Sequence, residues 1–152
     1  MKEYGYLRVA GAVPNLKVAD VEYNKNEIIK ILNKAEDKKI DVLVFPELAL
    51  TGYTSGDLFF QNILRKRTIE SLVEIKEKSV GKEILFFVGA PLTKNGSLYN
   101  TAVALKNGEI LGVVPKSFIP NYNEFYEKRW FSSGKNIKNS EMDKSVHISN
   151  NQ

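Results

Sequence analysis

The chain has no cysteine and a single histidine among its 152 residues. The first absence excludes disulfides and any thiol nucleophile within these residues, and together they leave little for a soft-metal site. Long hydrophobic runs are missing too. The longest, "DVLVF" and "ILFFVGAPL", are too short to cross a bilayer, and "MKEYGYLRV" has neither the apolar core nor the small-residue cleavage site of a signal peptide. The expected location is cytoplasmic, with no membrane partner. Charge of one sign is not concentrated: 22 basic and 18 acidic side chains give a net charge of +4. The basic residues are scattered through "NKAEDKK", "RKRT" and "EIKEKSVGKE" as on solvated helix faces. A nucleic-acid groove would need a bundled basic stripe interleaved with aromatics, so no such partner is expected.

What is present describes one globular domain. Hydrophobic residues make up 43% and charged residues 26%, with 8 Phe, 7 Tyr and 1 Trp, and 152 residues suffice to bury a core. "YLRVAGAVPN" (6–15) reads as a first strand stopped by Pro14 and Asn15. A helix follows, capped by Asp20, with Ile28, Ile31, Leu32 and Ala35 recurring on one face. "VLVF" (42–45) lacks polar alternation, as does a strand covered on both faces, so the order is βαβ with parallel neighbours. A second helix is expected from Gln61 to Ser79, with Ile69, Leu72, Val73 and Val80 as its core stripe and Gly81 ending it. Asp57 is expected to cap the turn before it. "EILFFVGAPL" is a third strand. Asn95-Gly96 and Asn107-Gly108 then predict two hairpins that add "SLYNTAVALK" and "EILGVVP" as antiparallel strands. The fold class is α/β: a mixed sheet of at least five strands with two helices on one face. From residue 132 the chain turns polar, with a short β-like "SVHI" that includes the lone His147, expected to be a bystander.

Two residues invite a chemical reading. Glu47 follows Pro46 at the end of the second strand, and open α/β sheets assemble their sites at such strand ends. Lys116 follows Pro115 after "EILGVVP" in the same way. Either could be an ordinary surface charge, but two opposite charges at strand exits can also face one another. The stretch after Lys116, "SFIPNYNEFYEKRWFSSG", is dense in aromatics and carries Glu124, Glu127, Lys128 and Arg129. That composition suits a small-molecule pocket. It equally suits a satellite core of Phe118, Phe125, Trp130 and Phe131 with a rim of ion pairs, in which Arg129 ties the loop to an acid.

"FPELALTGY", "GAPL", "LYNTAVALKNGEILGVVPK" and "FIPNYNEFYEKRWFSSG" together resemble the nitrilase superfamily of carbon-nitrogen hydrolases. Within it they resemble most the glutamine amidotransferase branch found in glutamine-dependent NAD synthetases. The resemblance covers roughly residues 6 to 136, and "NYNEFYEKRWF" is what points to that branch. It implies an α-β-β-α sandwich, of which residues 1–136 would be the N-terminal part and 137–152 a polar tail leading to the missing remainder. It also implies a Glu-Lys-Cys triad in which Glu47 matches the general base and Lys116 the catalytic lysine, with the cysteine on a later strand not reached here. Glu124 matches a second glutamate that orients lysine and substrate. Tyr122 and Tyr53 match pocket walls around glutamine, although core aromatics would give the same letters. No cofactor is implied for glutamine hydrolysis. ATP and Mg²⁺ belong, by resemblance, to a synthetase domain of the same chain that amidates deamido-NAD, and a homo-oligomer is implied as well.

Three functions remain open on the sequence. One is the glutaminase half of such a synthetase, inactive in these residues alone for want of a thiol. The second is a stand-alone amidase acting on another small amide or carbamoyl compound. The third is a noncatalytic interaction module in which Glu47 and Lys116 form a structural ion pair.

Overall fold

The structure is a computed structural model that describes residues 5–137. "SVHI", with His147, and nearly all of the polar tail lie outside the described residues. The element order is β1 (Val9–Gly11), α1 (Val21–Asp37), β2 (Val42–Val44), α2 (Asn62–Lys78), β3 (Leu85–Lys94), β4 (Ser97–Lys106) and β5 (Glu109–Pro115). The five strands form one mixed sheet in sequence order. β1, β2 and β3 run parallel, with Gly11 opposite Val44 and Val44 opposite Phe87. β3, β4 and β5 run antiparallel. Both hairpins have the expected turn: Asn95, Gly96, Asn107 and Gly108 all have positive φ, between 47° and 78°, as a type I′ turn requires. The first strand is shorter than its apolar run suggested, because only Val9–Gly11 finds ladder partners on β2.

Asp20 caps α1 by accepting from the Tyr23 amide at 3.0 Å, and Ile28, Leu32 and Ala35 are buried on its inner face. On the same helix, buried Asn24 accepts from the Lys17 amide and donates to the carbonyls of Lys17 and Leu50. It thereby ties the segment after β1 to the segment after β2. The inner face of α2 differs from the expected stripe. Leu72 is buried, but Ile69 and Val80 are exposed, and the buried side is completed by Leu64, Thr68, Ser71 and Ile75. Thr68 can lie inside because its hydroxyl donates to the Leu64 carbonyl at 2.9 Å, so a polar residue joins the core at little cost. An apolar-only reading of the helix could not anticipate this.

The two helices share one core with one face of the sheet, where Leu43, Phe86, Val88, Val103 and Leu105 are buried. Side chains alternate across a strand, so Val9, Val44, Phe87, Ala102 and Val114 fall on the opposite face. That face is open: Val9 is 67%, Val44 48% and Val114 64% exposed.

Candidate functional site

Glu47 is set by the turn that leaves β2. The Phe45 amide donates to Phe87 O at 3.0 Å and the Leu50 amide to Gly89 O at 3.2 Å, so residues 45–50 run on beside β3. Between those bonds Leu48 adopts φ +52°, a strained conformation for a side chain of its size. It is held there by full burial and by the amides of Thr51 and Gly52, which both donate to its carbonyl. Gly89 makes room for this crossing. A Cβ there would lie 2.5 Å from Pro46 O, 2.9 Å from the Glu47 carbonyl carbon and closer still to the Leu48 nitrogen.

Lys116 leaves β5 with its amide donating to Asn100 O on β4 at 2.8 Å and its carbonyl accepting from Gly134 at 2.9 Å. Its Nζ donates to Glu47 Oε1 at 2.8 Å. The acid after β2 and the ammonium after β5 therefore converge, as the two strand exits suggested.

The second carboxylate on Lys116 is Glu127, whose oxygens lie 3.0 and 3.1 Å from Nζ. Glu127 is 2% exposed and also accepts from the Tyr53 hydroxyl at 2.7 Å. Glu124, expected beside the lysine, is exposed three residues earlier. The reason lies in the backbone: the Glu127 amide bonds Pro120 O at 3.1 Å and a 3₁₀ turn starts there, which carries residue 127 inward. Linear spacing does not distinguish the two acids. Asn100, which donates from Nδ2 to Glu47 Oε1, was also missed. Its signal was available as a polar residue inside the apolar strand "LYNTAVAL".

Protonation follows from these contacts. Burial alone would lower the Lys116 pKa, but the hydrogen bonds to Glu47 and Glu127 outweigh it, and the ammonium is held above its ordinary value. Burial, reinforced by the bond to Glu127, pushes the Tyr53 phenol far up, so it remains a donor. Tyr53 is thus wired into the charge cluster. Tyr122 is exposed, stacks edge-on against Phe125 at 5.8 Å, and lines a groove of about 810 Å³ that reaches Lys116.

The loop is fastened from outside. Arg129 donates to both oxygens of Asp57 at 2.7 and 2.8 Å, and Trp130 Nε1 donates to Oδ1 at 3.0 Å. Asp57 was expected to cap the turn before α2; these side-chain donors engage it instead, and they hold its carboxyl well below the usual range. Arg129 does tie the loop to an acid. Phe131 is buried and packs on Phe59, with centroids 4.9 Å apart, whereas Phe118 is exposed beneath Lys135 Nζ at 4.2 Å. The aromatic stretch is therefore part core and part surface.

Glu47, Asn100 and Lys116 stand at one end of a cavity of about 340 Å³ whose floor includes Val44, Phe87, Ala102 and Val114. The charged cluster thus looks onto the open face of the sheet. Among the described residues no three His, Cys, Asp or Glu side chains gather as metal ligands, and none of their helices is long and apolar enough to cross a membrane. No glycine-rich loop opens a helix among the described residues either.

The carbon-nitrogen hydrolase family profile matches residues 7–145. The glutamine-dependent NAD(+) synthetase of Mycobacterium leprae is 35% identical over 130 residues, covering 86% of this chain and 19% of that protein. That of Thermotoga maritima is 35% identical over 131 residues, covering 86% and 23%. Among solved structures, the glutamine-dependent NAD(+) synthetase of Cytophaga hutchinsonii superposes with a TM-score of 0.80 at 31% identity, over 86% of this chain and 22% of its own. NitN amidase from Neterenkonia sp. AN1 shares the fold at 20% identity, TM-score 0.71, over 86% of this chain and 50% of its own. The chain spans about a fifth of the length of the synthetases it matches.

Proposed function

This chain belongs to the carbon-nitrogen hydrolase family, and from that premise we propose that it supplies the general base and the cationic residue of a glutaminase whose thiol comes from polypeptide outside these 152 residues. The observation that carries the reading is the Lys116 ammonium, 2.8 Å from Glu47 at the mouth of an open cavity. The substrate proposed is glutamine, in keeping with the glutamine-dependent synthetases the chain resembles, and the proposed fate of the released ammonia is transfer to a synthetase domain.

Glu47 accepts the proton of a thiol brought across the open sheet face, and the sulfur attacks the side-chain amide carbon of glutamine. Lys116 directs one N–H to Glu47 and can share a second between the two oxygens of Glu127, which leaves a third for the oxygen of the tetrahedral intermediate, where negative charge grows. The C–N bond breaks, and Glu47 returns the proton to the departing ammonia. Water then attacks the γ-glutamyl thioester, with Glu47 as base, releasing glutamate and the thiol. Glu127 keeps Lys116 charged and aimed while Tyr53 holds Glu127 in place.

Two observations test this. The reading frame past Gln152 should encode a cysteine on an apolar strand, and the purified 152-residue chain should release no ammonia from glutamine above buffer background. A frame that never supplies a thiol would leave the noncatalytic module in its place. Ammonia released by the isolated chain would refute the borrowed thiol.

A further inference from the structure

Glu47 Oε1 receives two donors, Asn100 Nδ2 and Lys116 Nζ. No described residue donates to Oε2. Asn100 is 3% exposed, and its backbone carbonyl accepts the Lys116 amide at 2.8 Å. One residue of β4 therefore touches both halves of the pair, gripping the acid with its side chain and the lysine with its main chain. Its neighbour Thr101 keeps β4 in register by donating from its hydroxyl to Ala90 O at 2.7 Å, so the amide of Asn100 is presented from a rigid strand.

We infer that Asn100 is a positioning residue that commits Oε1 of Glu47 to holding the carboxylate in place and thereby makes Oε2 the oxygen that takes and returns the proton. The physical case is economy of acceptors. A carboxylate has two oxygens, and one that rotates freely offers either to Lys116 and either to the thiol. Glu47 is a half-open side chain, so packing alone does not fix it. A neutral amide fits this role because it donates a hydrogen bond without adding a further charge to the cluster. A donor on a strand also holds geometry more tightly than one on a loop.

This inference rests on the glutaminase reading, and the test separates the two. The protein is the full-length gene product carrying its own thiol, assayed for ammonia from glutamine. Asn100→Leu should lower kcat by about 10²-fold with KM little changed, as expected for a catalytic group misplaced by about 1 Å. Asn100→Asp keeps the shape but places a carboxylate among Glu47, Lys116, Glu127 and the Tyr53 hydroxyl. Its kcat relative to wild type should rise as the pH is lowered from 8 to 6, because a proton shared between Asp and Glu restores the missing donor. In the 152-residue chain, side-chain NMR should detect a slowly exchanging Asn100 Nδ2 proton and a single Glu47 rotamer, averaged in Asn100→Leu. An Asn100→Leu enzyme with wild-type kcat, or an Asn100→Asp deficit that ignores pH, overturns the inference. A fully active Glu47→Gln would instead overturn the glutaminase reading itself.

Discussion

Replacing Gly89 by alanine puts the smallest possible addition at the point where the Glu47 turn crosses β3. The new methyl would sit 2.5 Å from Pro46 O and 2.9 Å from the Glu47 carbonyl carbon, where ordinary contact begins at 3.4 Å. The Pro46–Leu48 segment must therefore retreat by about 1 Å, at a cost of roughly 1–3 kcal/mol by analogy with overpacked cores. The sign is informative, because Ala within a strand otherwise stabilises by about 0.5–1 kcal/mol over Gly. A retreat of that size also pulls Glu47 away from Lys116 and Asn100, so under the proposed glutaminase reading kcat for ammonia release should fall by about 10²-fold. Urea unfolding of the 152-residue chain measures the first effect and ammonia release by the full-length protein the second. A Gly89→Ala chain at least as stable as wild type, together with undiminished ammonia release, would refute the claim that this close approach sets the position of the acid.

Lys116→Met leaves Glu127 buried with only the Tyr53 hydroxyl among its side-chain donors, and should destabilise the chain by about 2–4 kcal/mol. Adding Glu127→Gln should recover most of that in urea unfolding. Asn24→Leu removes three hydrogen bonds of a buried amide side chain at once and should cost about 3 kcal/mol by the same measurement. The lowered Asp57 pKa makes its pairing with Arg129 a stabilising contribution that is full above the ordinary aspartate range and lost as pH falls toward the folded value. The Tm difference between wild type and Asp57→Asn should thus be constant from pH 7 to 5 and shrink below about pH 4. Val44→Lys with Val114→Lys should reduce concentration-dependent self-association of the 152-residue chain in sedimentation, because those side chains lie on the open apolar face.

The order of elements was legible because each has a local cause. Asp20 starts α1, two Asn-Gly pairs turn both hairpins, and unbroken apolar runs at "VLVF" and "EILFFVGAPL" mark strands that sit inside the sheet. The α2 face was misread because Thr68 and Ser71 are buried in place of Ile69 and Val80, a choice made by packing against α1 and the sheet. At the site, Glu47 and Lys116 could be found because each is the first charge after an apolar strand. Glu127 could not, since its burial depends on a backbone bond to Pro120 and on Tyr53, 74 residues away. Asp57 was likewise claimed by a partner 72 residues distant. Long-range pairing of loop residues leaves no periodic trace in the sequence.

Ammonia release from glutamine by the full-length protein, compared between wild type and Glu47→Gln, is the sharpest check on Glu47 as the base. Glu47 is exposed enough that Gln should fold normally while removing the base, so kcat should fall by at least about 10²-fold. A Glu47→Gln enzyme that releases ammonia at the wild-type rate would contradict that role.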